Sequence, residues 1–381
     1  GKKIVASDLD GGYMNLAPVL SPDGNRVAFI SERDLFSIDV FVADANTGKV
    51  NKRLVKSDSN AHFDALRFID SAGTWSPDGR HLAVVVFAKG NNWVLLVDTK
   101  SGKIKERIRP RKVGSVSNPA WSPDGEWVLF SGSTMGQSDL YMTHTETRDL
   151  VRLTDDRYAD LQPAWSPDGK TIAFVTDRGP DTDFEELTYG NMRIGIMDVE
   201  SREVRLVPLF AGAKHINPQF SADGGSLYFI SDREGFSDIY RVDLDTEEVY
   251  QVTRVATGVS GITTLSPAFS VAPTGRVLFS VFEGGNYNIY GLEEEEAQGE
   301  PLQQPEEQLA FVPEPESEEP TAMMGRTPVF GPEGGFPKSQ QLEIRDAYRP
   351  PAGLLPPAED EGRVFVSDYL SDPEGGLPEE E

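Results

Sequence analysis

The sequence predicts an all-β fold: a six-bladed β-propeller closed by its N-terminal strand and followed by an extended acidic, proline-rich tail. Three observations carry that expectation. The tetrapeptide Ser-Pro-Asp-Gly recurs at Ser21–Gly24, Ser76–Gly79, Ser122–Gly125 and Ser166–Gly169. A short apolar run follows each copy at once. The acidic residues and prolines crowd into the last 89 residues of a 381-residue chain.

Two further copies of the turn complete the set. Ser221-Ala222-Asp223-Gly224 loses only the proline, and Ser270–Gly275 is degenerate, with one extra residue and no Asp. The glycines at 24, 79, 125, 169, 224 and 275 are spaced by 55, 46, 44, 55 and 51 residues. The flanks keep register. Leu20, Trp75, Trp121, Trp165, Phe220 and Phe269 precede the serines, and Pro18, Gly73, Pro119, Pro163, Pro218 and Pro267 stand two positions earlier. Self-similarity at a period of about 45–50 residues marks a repeat architecture in which each unit buries its faces against its neighbours.

Each unit reads as four antiparallel strands. The first ends at the turn, where Pro presets φ, Asp caps and Gly takes the left-handed conformation that reverses the chain. The second is a near-continuous apolar run (Val27–Ile30, Leu82–Phe87, Trp127–Phe130, Ile172–Val175, Leu227–Ile230, Val277–Val281), as expected of a strand covered on both faces. The third, such as Val40–Ala43 or Ile239–Val242, runs into a polar turn of the type Asp44-Ala45-Asn46-Thr47-Gly48. The fourth alternates, as in Val151-Arg152-Leu153-Thr154, which suits a half-exposed outer edge. Four strands per period is a propeller blade. The sixth unit lacks a fourth strand, because Glu293–Glu296 follows Leu292, whereas Lys3-Ile4-Val5-Ala6 stands unassigned before the first. That strand completes blade six and removes an exposed edge.

Charge divides the chain. The net charge is −26, but residues 293–381 hold 23 acidic and 5 basic residues and 14 of the 27 prolines. Two segments follow: a mildly acidic propeller over 1–292 and a tail over 293–381. The tail opens with a Glu-, Gln- and Pro-rich stretch of disordered composition, then carries spaced apolar beads, among them Val364-Phe365-Val366 and Tyr369. These four are the candidates for tail docking, on the chain's own propeller, a second copy or another subunit, with a solvated spacer as the alternative. The acidic balance argues against nucleic acid as a partner. No apolar run is long enough for a membrane-spanning helix. The absence of cysteine excludes disulfides and thiolate chemistry.

Catalytic signals are weak. Gly258-Val259-Ser260-Gly261 and Gly132-Ser133-Thr134-Met135-Gly136 both miss the nucleophile-elbow pattern, and no α/β hydrolase region is present. The histidines 62, 81, 144 and 215 fall in four different units, and no cofactor motif is found. Asp181-Thr182-Asp183-Phe184-Glu185-Glu186 begins like a calcium loop but lacks the glycine and the distal glutamate that such a loop needs. The paired Asp177-Arg178 and Asp232-Arg233, with Glu32-Arg33 in the same place, recur between blades and so read as structural. The candidate partner-binding residues are Lys214 and His215 at an inner-strand entry, Asp181, Asp183 and Glu185 in one long insertion, and His62 and Phe63 in the other.

The pattern Pro-x-Trp-Ser-Pro-Asp-Gly-(Lys/Arg), an apolar strand, Ser/Thr-Asp-Arg and then Asp-Ile-Tyr, clearest at Pro163–Arg178 and Pro218–Tyr240, resembles the TolB-like six-bladed propellers built from WD40-like Pro-Asp repeats. Asp160–Arg178, Ala213–Arg233, Ala256–Tyr290 and Tyr369–Pro378 are also similar to an exported bacterial group in which such a propeller precedes an outer-membrane barrel of the surface-antigen type. The resemblance implies a non-catalytic scaffold of the Gram-negative cell envelope or cell surface that binds a protein or peptide. Two alternatives remain: a structural subunit assembled into an oligomer or fibre through its tail, and the accessory propeller of a peptidase whose catalytic part is absent.

Overall fold

A computed structural model of the chain describes residues 1–9, 11–33, 37–56, 71–88 and 90–302. These residues form six antiparallel sheets, five of four strands and one of five. The first strand of each sheet (Asn15–Leu20, Thr74–Trp75, Ser115–Trp121, Asp160–Trp165, His215–Phe220 and Phe269–Val271) lines a common central channel. Each is followed in its sheet by the next strand in sequence, so blades one to four are simple meanders, while blades five and six each add an outer strand from elsewhere in the chain.

Burial follows the polarity of the sequence. The second strands Arg26–Ser31 and Ser226–Ser231 are almost wholly buried, and Phe29, Phe130, Phe174 and Phe229 lie fully inside. The outer strands Leu150–Arg152 and Val204–Leu206 alternate between half-buried and exposed residues. Each hydrophobic cluster spans neighbouring blades, so the core is a series of inter-blade layers.

The Ser-Pro-Asp-Gly turns share one hydrogen-bond pattern. In blade four Ser166 Oγ donates to Asp168 Oδ1 at 2.6 Å and accepts from Thr171 N–H at 2.9 Å. The Gly169 N–H donates to the Ser166 carbonyl at 3.0 Å, with φ at +72°. The Ser166 hydroxyl bond holds the exposed Asp168 carboxyl below its ordinary pKa. Neighbouring turns touch. A Cβ on Gly125, Gly169 or Gly224 would lie 3.4–3.9 Å from the proline of the preceding blade, so the turns of blades two to five form a packed arc at one channel mouth.

Closure is as expected from the sequence. Lys2–Val5 pairs antiparallel with Asn286–Leu292, with Lys2 opposite Gly291 and Lys3 opposite Tyr290. Ile4, Val5 and Ala6 are buried with Phe29, Leu278 and Ile289. Gly48, at φ +72°, lies flat against this clasp; a Cβ there would sit 1.7 Å from the Ile4 carbonyl oxygen.

Beyond Leu292 the chain departs from the disordered reading. Glu293 and Glu296 form a capping box around a one-turn helix, Glu294–Ala297, whose Ala297 is fully buried. Gly299 turns the chain at φ +74°, and Glu300–Pro301 pairs with Val249–Gln251 as a fifth strand on blade five. Acid-rich composition hid this short crossover, because its order comes from contacts with blades five and six. Val364, Phe365, Val366 and Tyr369 lie outside the described residues, as do His62 and Phe63.

Candidate functional site

The channel encloses a cavity of about 440 Å³ lined by all six inner strands. These strands are not regular. Ala17, Asn118, Gln162 and Asn217, each just before a proline, have φ between +48° and +55°, and the pairing register shifts at each. The X-Pro pair thus marks a bulge that turns one residue of the inner strand toward the channel. Blade two has glycine where the others have proline, and its left-handed residue is that Gly73, at φ +114°.

The bulged side chains link the blades. Gln162 N–H donates to Ser131 Oγ of blade three at 3.0 Å. The Gln162 Nε2 amide donates to the Leu265 carbonyl, and its Oε1 accepts from Asn217 N–H of blade five at 2.7 Å. Asn217 Oδ1 in turn accepts from Ala268 N–H at 2.9 Å in blade six. Elsewhere Leu20 N–H donates to Ser270 Oγ at 3.1 Å, and Trp75 Nε1–H to the Val19 carbonyl at 2.9 Å. The channel wall is a preorganised polar belt. Beside it, prolines 22, 77, 123 and 167 and the rings of Trp75, Trp121 and Trp165 form an apolar mouth on the turn side. Such a lining suits a peptide segment, whose backbone meets the polar belt and whose side chains meet the apolar rim.

The residues expected to bind a partner fare differently. His215 is 3% exposed and packs between Phe210 and Phe229, with ring centroids at 5.9 and 5.7 Å. Burial lowers its pKa to about 4, helped by Arg193, so the imidazole is neutral at physiological pH and faces a core instead of the channel mouth. Position at a strand entry could not show which face of the blade the side chain takes. Lys214 is half-buried, and its Nζ donates to the Thr264 carbonyl at 2.9 Å.

In the insertion, Asp181 pairs with Arg193 at 2.7 Å and Glu185 extends into solvent. Asp183 turns back to accept the N–H groups of Glu185 and Glu186 at 2.7 and 3.1 Å, which holds its carboxyl below the usual range. Among the described residues no three His, Asp or Glu side chains converge as metal ligands. The Asp-Arg pairs are structural in blades four and five. Asp177 accepts from Ala159 N–H at 2.8 Å and Asp232 from Lys214 N–H at 2.9 Å, each fixing the entry to an inner strand. Arg178 bridges Asp156 and Asp160. Burial raises the Asp160 pKa while its bonds to Arg178 oppose the shift.

Residues 71–185 match the family model described as the TolB beta propeller domain. An uncharacterized protein of Agrobacterium fabrum is 30% identical over 214 residues, which are 55% of this chain and 68% of that protein. The chain belongs to the TolB-like β-propeller family. Among other relatives, the uncharacterized peptidase YuxL of Bacillus subtilis is 25% identical over 60% of the chain, which spans only 31% of that protein's length. The solved structure of a putative TolB from Agrobacterium tumefaciens superimposes with a TM-score of 0.54 at 21% identity, covering 74% of this chain and 90% of that one. That likeness is one of fold. The TolB-like propeller thus has relatives both with and without a peptidase name. Among its described residues no helix is long and apolar enough to cross a membrane, which leaves β-barrel spans untested.

Proposed function

We propose that this TolB-like propeller is a protein-binding scaffold without catalytic activity of its own, exported to the cell envelope of a Gram-negative-type bacterium. Its channel and surrounding loops take up a segment of a partner protein. The observation that carries this reading is the cavity of about 440 Å³, to which all six blades contribute and whose wall is a hydrogen-bonded belt beside a proline–tryptophan mouth. Family membership supports the choice of a protein partner. The similarity to propellers that precede an outer-membrane barrel supports association with such a barrel, and the apolar beads of the tail support a tethering role.

Site-directed crosslinking tests the reading. A photoreactive residue in place of Gln219, which lines the channel, should trap one protein species in intact cells, while the same residue at Arg205, exposed on the outer strand of blade four, should not. Identical patterns at the two positions, or labelling of a single serine by a fluorophosphonate, would overturn it.

A further inference from the structure

A second concave surface lies between blades three and four, on the side of the loops that join the second and third strands. It is a cavity of about 500 Å³ lined by Gly136, Arg157, Tyr158, Phe184, Leu187 and Tyr189. Two of its lining side chains are well exposed, Leu187 at 69% and Tyr189 at 63%, and Met135, the chain neighbour of the lining residue Gly136, is 93% exposed. Behind them the rings are fixed. Tyr158 meets Phe184 edge-on at 5.1 Å, Phe184 meets Tyr189 at 6.4 Å, and the Arg157 guanidinium covers the Phe184 ring at 4.8 Å.

Two of the exposed side chains sit where the backbone disfavours them. Thr134 pairs with Gln137, so Met135-Gly136 is a two-residue hairpin loop with φ of +52° and +89°. Both positions need left-handed residues, and Asn-Gly or Gly-Gly is the usual solution. Blade six uses Gly284-Gly285 in the same place, at +60° and +85°. Leu187 is likewise left-handed, at +55°, inside a turn closed by bonds of 2.9 and 3.0 Å between Asp183 and Thr188. A non-glycine, non-asparagine side chain in this region is strained, and strain without burial gains nothing for the folded chain by itself. The same insertion carries four exposed carboxylates (Asp181, Asp183, Glu185 and Glu186) and no basic residue.

We infer that this aromatic cavity, with Met135 and Leu187 as its lips and an acidic rim, docks a basic segment of a partner protein through one aliphatic or aromatic anchor residue flanked by Lys or Arg. The anchor fills the cavity against Tyr158, Phe184 and Tyr189, and the flanking cations meet Glu185 and Glu186. The inference rests on the protein-binding reading above and adds to it a place and a partner chemistry separate from the channel.

Selection of a phage-displayed library of random 12-residue peptides on the full chain tests it, with three variants as comparisons: Met135→Asn with Leu187→Asn, Glu185→Lys with Glu186→Lys, and Gln219→Trp in the channel. Enriched peptides should share a Leu, Met, Phe or Trp flanked by Lys or Arg. They should bind the first two variants at least 10-fold more weakly and the channel variant unchanged. Because asparagine suits the left-handed turns, the first variant should also melt at or above the native temperature. Peptides lost only in Gln219→Trp would overturn this inference while leaving the channel reading intact, and failure to enrich any peptide would count against both. A lower melting temperature for the asparagine variant would make the lips structural and overturn the inference. A dimer dispersed by that variant would do the same, by making the occupant a second copy.

Discussion

Replacing Gln162 by alanine isolates the energetic value of the channel belt. Blade one already carries alanine at the equivalent bulge, Ala17, at the same φ of +49°, so the substitution transplants a backbone solution the fold uses elsewhere. What is lost is the side-chain amide, which joins the Leu265 carbonyl to the Asn217 N–H. A buried backbone group left unsatisfied costs about 1–3 kcal/mol. The Leu265 carbonyl is only part-buried and can be resolvated from the channel, whereas the Asn217 N–H is buried. The expected loss is therefore about 2 kcal/mol, nearer one orphaned group than two. For a domain of this size that lowers the melting temperature by about 4 °C. Urea unfolding and calorimetry measure it, with Ala17→Gln as a control that has no amide partner prearranged. A loss below about 0.5 kcal/mol, or equal effects of the two substitutions, would refute the claim that the belt holds blades four, five and six in register.

Other substitutions probe the closure, the buried imidazole and the turns. Ile4→Ala in the clasp should cost about 3 kcal/mol in urea unfolding, the usual price of deleting a buried isoleucine. Gly48→Val meets both the positive φ and the Ile4 carbonyl, so amide hydrogen exchange at Lys3–Val5 should lose its protection. His215 has a folded pKa of about 4 against 6.5 unfolded, so the unfolded state binds its proton first. Stability from this group is therefore full above pH 6.5 and falls by about 3 kcal/mol as pH drops to 4. His215→Leu should flatten that part of the urea-midpoint profile, and an unchanged slope would contradict the buried, neutral assignment. Ser166→Ala removes the bonds of its turn hydroxyl to Asp168 and to both the carbonyl and the N–H of Thr171, and should cost about 1–2 kcal/mol.

The architecture was legible in the sequence because it is written six times. Any one Ser-Pro-Asp-Gly turn is ordinary, but a proline three residues before each serine or its glycine substitute, and an apolar run after each turn, leave little choice of fold. The clasp was legible for a topological reason, since Lys3–Ala6 had no other sheet to join. The bulges went unread, though Pro18, Pro119, Pro163 and Pro218 marked them: each proline follows the left-handed residue. His215 was misplaced because burial depends on packing by Phe210 and Phe229, the first of them outside its own sheet. The insertion was read through its carboxylates, which turned out to cap a turn and pair with Arg193. Leu187 and Tyr189 in that same insertion, and Met135 across from it, carried the more informative signal: apolar residues in a polar loop. The crossover after Leu292 was hidden by composition, since four glutamates in a row look solvated until Ala297 and the edge of blade five are seen beside them.

The clasp also sets how this ring could be rewired. The Gly1 amine lies 4.0 Å from the Glu296 carboxylate, beside the strand that the clasp pairs with. A short linker from the helix at Glu294–Ala297 back to residue 1 would make blade six continuous. New ends could then be opened at Gly284-Gly285, where a side chain would meet nothing within 4 Å. In such a permuted chain the seam moves from the Lys2–Val5 and Asn286–Leu292 pair to the Val277–Glu283 and Asn286–Leu292 pair, and the ring is shut by two strands from each end in place of a single added strand.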